Sequence, residues 1–188
     1  KEMSPTDDEL GASRIHSALH GMSARCGIFY TTNYDDFLER FFRMRDVSVS
    51  VVTSEATMNH DRSICEIVKF HGDLNDPTTM VMSESDYEAR MKFESPMDMK
   101  LRSDLLGRAV LFVGYSFRDA NVAYLFRLIN DLFGPLPQSF AGRRAYIFVH
   151  NPSDFELRLF NARNIEVIGT HGQDQTEGTT NALGELSS

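Results

Sequence analysis

Six short apolar runs separated by helical patterns leave this chain few folds to choose from. The runs are Gly27–Thr32, Val47–Thr53, Ile64–Phe70, Ala109–Val113, Ala145–Val149 and Ile165–Ile168. They are rich in Val, Ile and Phe, and several lack strict alternation of apolar and polar residues. A strand covered on one face alternates, whereas a strand covered on both faces reads as a nearly continuous apolar run. Between the runs, Phe37, Leu38, Phe41 and Phe42 recur at helical spacing, and Val122, Leu125, Phe126, Ile129 and Phe133 form a wide stripe. Gly134 and Pro135 stop that second helix. Ser153 and Glu156 have capping-box spacing and open a helix carrying Phe155 and Leu159. Further helices are expected over Ile15–Met22 and Met97–Leu106, and one capped by Ser83 or Ser85 running through Tyr87 and Met91. Thr57–Ser63 and Leu136–Arg144 read as loops. Strands alternating with helices require crossover connections, so the expected class is α/β with a largely parallel sheet.

The 188 residues are enough for one domain with a sizeable core. We expect that domain to occupy residues 1–171, with 172–188, rich in Gly, Thr, Asn and Gln, forming a loose tail or linker. A formal net charge of −8 argues against a general nucleic-acid surface, which needs clustered cations to displace counterions. No run approaches the roughly 20 apolar residues of a membrane helix, so no membrane partner is expected. Cys26 and Cys65 stand apart, each at the start of an apolar run, and read as buried thiols. Unpaired cysteines and the lack of a sorting signal fit a cytoplasmic protein. The chain opens on Lys1 rather than methionine, and a piece of a longer protein is expected.

Ligands of open parallel sheets bind beyond the carboxyl ends of the strands. Three strand ends here carry polar residues: Thr31-Thr32-Asn33-Tyr34-Asp35, Phe70-His71-Gly72-Asp73 and Gly114-Tyr115-Ser116-Phe117-Arg118-Asp119. Each has a plain structural reading. Asn33 suits a turn or helix cap, His71 a hydrogen-bonded structural histidine, Gly114-Tyr115-Ser116 a strand-to-helix turn, and Asp119 an N-cap. Each also has a chemical one. His71 can exchange a proton near neutral pH and activate a ribose hydroxyl or a water. Asn33 offers a donor and an acceptor for orienting either group. Asp35 can cap the next helix or accept from a carboxamide. A glycine after a buried strand lets backbone approach a ligand, and a helix starting near Ala120 would point its amides at a pyrophosphate. Three such ends on one rim favour a site.

At these residues the sequence resembles the sirtuin-like (silent-information-regulator-two-like) family, and within it the divergent bacterial branch found in antiphage defence proteins. Thr32-Asn33-Tyr34-Asp35, His71-Gly72 and Gly114-Tyr115-Ser116 stand in the family's order. The fuller motifs Thr-Thr-Asn-Tyr-Asp, Lys-x-His-Gly-Asp and Phe-x-Gly-Tyr-Ser-x-x-Asp can all be read, and the likeness runs from about Ile15 to Ile168. It implies a Rossmann-like three-layer α/β/α fold and an NAD glycohydrolase that splits the nicotinamide–ribose bond, as the effector of abortive infection. On this resemblance Asn33 positions the nicotinamide ribose and attacking water, and His71 is the general base. Thr32, Asp35, Gly72, Gly114, Tyr115, Ser116 and Asn151 then bind NAD, with Asp35 near the carboxamide and Asn151 near the adenosine ribose. A helix-entry turn into Pro152 is the equal alternative for Asn151.

Two departures from the family are visible. Leu10-Gly11-Ala12-Ser13 lacks the second glycine of a Gly-Ala-Gly-x-Ser phosphate loop, so that loop is expected upstream. The four zinc cysteines of protein deacylases are missing between the second and third motifs, which weakens deacylation. No metal is expected: His16 and His20 have ligand spacing on a helix but lack a third ligand. The resemblance further implies control by homo-oligomerisation or by attached regulatory domains. The rival readings are an NAD-dependent protein deacylase and a non-catalytic NAD or ADP-ribose sensor.

Overall fold

In a computed structural model, which describes residues 4–58, 65–83, 85–86, 95–115 and 145–187, all six apolar runs are strands. They are β1 (Ile28–Thr31), β2 (Val49–Val52), β3 (Cys65–Lys69), β4 (Val110–Phe112), β5 (Ala145–His150) and β6 (Ile165–Thr170). Every pairing between them is parallel. The helices are α1 (Asp7–Gly11), α2 (Arg14–Met22), α3 (Phe37–Met44), α4 (Pro96–Gly107), α5 (Asp154–Asn161) and α6 (Gln175–Ser187). Parallel strands alternating with helices make a Rossmann-like α/β fold; the run pattern predicts the parallel α/β class and the family resemblance the Rossmann-like form. The chain divides into two compact units, residues 1–97 with 180–188, and residues 98–179.

In the first unit the strand order is β1-β3-β2. β3 is the middle strand, which explains why its sequence does not alternate: Cys65, Ile67, Val68 and Lys69 are all 0% exposed. Helix α3 lays Phe41 and Phe42 into the core against Leu10, Cys65 and Ile67, with Phe29, Leu38 and Val49 packed around them. His16 and His20 of α2 turn to these same rings. Their centroids lie 5.7 Å from Phe41 and 5.7 Å from Phe42, respectively. They serve as packing residues, and no group of three metal-binding side chains occurs among the described residues. Burial raises the thiol of Cys26 and pushes that of Cys65 up to about 11, so both stay protonated near neutrality.

In the second unit the order is β4-β5-β6. The Ser153–Glu156 capping box forms as expected, the Ser153 hydroxyl accepting from the Glu156 amide at 3.2 Å and the carboxylate reaching back to the Ser153 amide at 2.9 Å. The expected helices at Val122–Phe133 and Tyr87–Met91, and the loop at Leu136–Arg144, lie outside the described residues. The loose tail expected at 172–188 is a correction. Gln175–Ser187 form helix α6, Gly178 and Thr179 are buried, and Leu183 is 1% exposed. Gly178 allows this: a Cβ there would sit 3.1 Å from His150 Nδ1 and 3.2 Å from Thr170 Cβ, so only a bare backbone packs so close. No described helix is long and apolar enough to cross a membrane.

Candidate functional site

Asn33 and His71 occupy equivalent places on neighbouring strands. β1 and β3 pair in register with Thr31 opposite Lys69, and the Phe70 amide continues the ladder to the Thr31 carbonyl at 2.9 Å. Asn33 and His71 each follow two residues later, at the carboxyl edge where the ladder opens. The pair expected from sequence is therefore brought to one edge of one sheet. Neighbouring strands lie about 4.8 Å apart, so the two residues stand on adjacent strand ends.

Their surroundings differ in a chemically useful way. Asn33 is exposed, and its backbone amide donates to Thr31 Oγ1 at 3.1 Å. That bond turns the chain out of β1 and leaves the Asn33 carboxamide on the outside. His71 is only 5% exposed, with the Tyr34 and Phe70 rings 6.4 Å and 5.8 Å from its own. Tyr34 is tied down at its far end, its hydroxyl donating to the Val81 carbonyl at 2.7 Å, while the Val81 amide donates to the His71 carbonyl at 2.9 Å. An imidazole held among rings and a carboxamide facing outward thus stand at the ends of neighbouring strands.

The turn after His71 needs a glycine. Gly72 adopts φ +94°, and a Cβ there would fall 2.3 Å from the Thr79 carbonyl oxygen. Its conformational freedom serves close approach by the protein's own backbone. Asp35, for which two roles were open, uses Oδ1 to accept from the Phe37 amide at 3.2 Å at the mouth of α3. Thr32 is half-buried between β1 and Asn33. A cleft of about 470 Å³ opens beyond the end of β2, lined by Thr53, Glu55, Asp76 and Thr79 among others, and neither Asn33 nor His71 lines it.

Beneath these loops sits an ion cluster that patterning did not reveal. Lys69 Nζ, 0% exposed, contacts Glu39 Oε1 at 3.0 Å and Asp73 Oδ2 at 3.0 Å, and donates to the carbonyls of Tyr34 at 3.1 Å and Asp35 at 2.6 Å. Burial alone would raise the Asp73 carboxyl. The Asn75 amide and the Lys69 ammonium outweigh it and hold Asp73 below the usual carboxylate range. The signal was present as a lysine inside an apolar strand, but sequence does not say which acids meet it.

A folded-state value below the unfolded one adds stability that is complete above the unfolded value, near pH 4, and is lost as pH falls through the folded value. The stability gap between wild type and Asp73→Asn is therefore expected to be full at pH 6 and to shrink below pH 4. Urea unfolding at pH 6 and pH 3 measures it, and a gap that widens in acid would contradict the assignment.

In the second unit, Gly114 and Tyr115 close β4 at the edge where β5 ends, and Ser116 lies outside the described residues. Gly114 has φ +76°, with nothing among the described residues within 4 Å of a would-be Cβ, and Tyr115 packs edge-on against Phe112 at 5.7 Å. Asn151, at φ +46°, makes the turn out of β5. Its Nδ2 meets His150 Nε2 at 3.0 Å and its Oδ1 meets His171 Nδ1 at 3.0 Å. The helix-entry turn and an exposed polar cluster thus coexist at Asn151.

Residues 27–168 match the SIR2-like domain family, spanning β1 to β5, most of β6 and all three strand-end motifs. The chain belongs to the SIR2-like family. It is 31% identical over 134 residues to the NAD(+) hydrolase ThsA of Acinetobacter baumannii (strain 532279), which covers 67% of this chain and 27% of that protein. It is 30% identical over 132 residues to the NAD(+) hydrolase ThsA of Bacillus cereus (strain MSX-D12), with the same two coverages. A third relative, the NAD(+) hydrolase ThsA of Cytobacillus dafuensis, is 28% identical over 147 residues, 75% of this chain and 28% of that protein. This SIR2-like chain thus spans little more than a quarter of the length of the relatives it matches. The family assignment agrees with the resemblance carried by the Asn33, His71 and Gly114 motifs.

Proposed function

We propose that this SIR2-like domain binds NAD and hydrolyses its nicotinamide–ribose bond, giving nicotinamide and ADP-ribose, as the effector part of a longer bacterial antiphage protein. The observation that carries the reading is the register-matched pair Asn33 and His71 at one sheet edge, in a domain whose relatives are named NAD(+) hydrolases.

The chemistry asks little of the protein beyond placement. Nicotinamide in NAD is a pyridinium, so the electron pair of the breaking glycosidic bond neutralises it and no acid is needed. The ribose becomes oxocarbenium-like, and a water oxygen bonds to its anomeric carbon. His71 takes a proton from that water or from a ribose hydroxyl, and Asn33 orients both. By the family resemblance, Asp35 would serve the nicotinamide carboxamide, Gly114 and Ser116 the phosphate and adenosine side, and Asn151 the adenosine ribose, with Thr32, Gly72 and Tyr115 as further NAD-binding residues. Homo-oligomerisation or attached regulatory parts would restrain an activity that drains NAD from the cell, and the cytoplasm is where that substrate is drawn from.

Incubating the full-length protein with NAD and separating the products tests this. Nicotinamide and ADP-ribose in equal amounts are expected. Tight NAD binding without nicotinamide release would replace the hydrolase with a sensor, and release only in the presence of an acetyl-lysine peptide would replace it with a deacylase.

A further inference from the structure

A fully buried ammonium in the middle strand of a sheet is a costly device for stability alone. Removing a lysine and a carboxylate from water costs several kcal/mol per ion, and well-packed apolar replacements of buried pairs are often as stable or more so. The cluster around Lys69 is not tuned for stability either: Glu39 is 3% exposed, and its Oε2 is buried with no hydrogen-bond partner among the described residues. What the cluster does is geometric. Three N–H groups of one ammonium are shared among four acceptors on three segments. Two are the Tyr34 and Asp35 carbonyls, immediately after Asn33. One is Glu39 in the first turn of α3. The last is Asp73, two residues after His71. Lys69 itself ends β3, two residues before His71.

We propose that Lys69 is a positioning residue, whose ammonium ties the loop bearing Asn33 to the turn bearing His71 and so fixes the separation of the two groups that act on substrate. The inference rests on the hydrolase reading for its kinetic consequence, but the tie itself does not depend on that reading. Carbonyl oxygens two residues from a reacting group make short levers. Without the ammonium the Asp35 carbonyl is released and the Tyr34 carbonyl keeps only the Leu74 amide, so Asn33 can move by an ångström without disturbing the core below. A misplacement of that size costs about 100-fold in rate.

The test uses the full-length protein with Lys69→Met and the paired variant Lys69→Met/Glu39→Met. The single change strands the Glu39 carboxylate and can unfold the chain. The paired change removes the cation with its most buried partner, leaving Asp73 to its Asn75 amide. Per folded molecule, the paired variant is expected to lose about 100-fold in kcat with KM within about 3-fold of wild type. A purely structural lysine predicts a lower melting temperature and an unchanged kcat in the folded fraction, and that result overturns the proposal.

Hydrogen exchange gives a readout free of substrate. The Leu74 amide, which donates to the Tyr34 carbonyl at 3.0 Å across the tie, is expected to lose at least about 10-fold in protection while Ile67 and Val68 keep theirs. Equal protection at Leu74 in wild type and the paired variant also overturns it. Should wild type release no nicotinamide, the hydrolase reading fails, and the exchange result alone then decides whether Lys69 holds the two loops together.

Discussion

Asn33→Ala is expected to lower nicotinamide release from NAD by about 1,000-fold or more in the full-length protein, while its unfolding curve stays within about 0.5 kcal/mol of wild type. The asymmetry follows from where Asn33 sits. Its side chain is exposed beyond the end of β1, and the turn is held by its backbone amide on Thr31 Oγ1, which alanine keeps. Little folding energy is therefore at risk. Catalysis depends on it entirely under the proposed chemistry, because a water and a ribose hydroxyl must be held together against an oxocarbenium-like centre. Measuring kcat and thermal unfolding on the same preparation separates the two. A variant that melts early and turns over normally would mean that Asn33 is only a turn residue.

Gly72→Ala is expected to be among the most destabilising single changes available in the first unit. At φ +94° an alanine is strained, at a cost of about 1–3 kcal/mol. The added methyl must also displace a backbone carbonyl, since its Cβ would lie 2.3 Å from Thr79 O and 2.7 Å from Met80 Cα. Neither neighbour is the free end of a flexible side chain. A total loss of about 3 kcal/mol or more, roughly 6–12 °C in melting temperature, is expected. Nicotinamide release should fall with it, because the same turn carries His71. Gly114→Ala is the control. It shares a positive φ of +76° but meets nothing within 4 Å of the new Cβ among the described residues, so strain of about 1 kcal/mol is the expected cost. Equal stability of the two alanine variants would show that the close approach at Thr79 is relaxed at little cost.

The strand pattern was legible because β3 and β5 are middle strands, and burial on both faces breaks the alternation of apolar and polar residues, as in Ile67-Val68 and Tyr146-Ile147-Phe148-Val149. The place of Asn33 and His71 was legible for a related reason: each closes such a run, and the parallel register Thr31–Lys69 then puts them level. Helix α6 was hidden because its sequence is rich in Gly, Thr and Asn, which favour helix weakly, and its order comes from packing at Gly178, Thr179 and Leu183. Helix α1 is only five residues long, too short to show a period, although Thr6 and Glu9 form a capping box. The tie at Lys69 depends on contacts 30 and more residues apart in the chain, with Glu39 and the Tyr34 and Asp35 carbonyls, and no local pattern encodes them.

The most direct test of a joint Asn33–His71 site is a double-mutant cycle on the rate of nicotinamide release, using Asn33→Ala, His71→Ala and the pair in the full-length protein. Two groups serving one ribose and one water act as a unit, so the double variant should be scarcely slower than the worse single one. Losses that multiply in full, or a single variant that turns over NAD at the wild-type rate, would contradict the account.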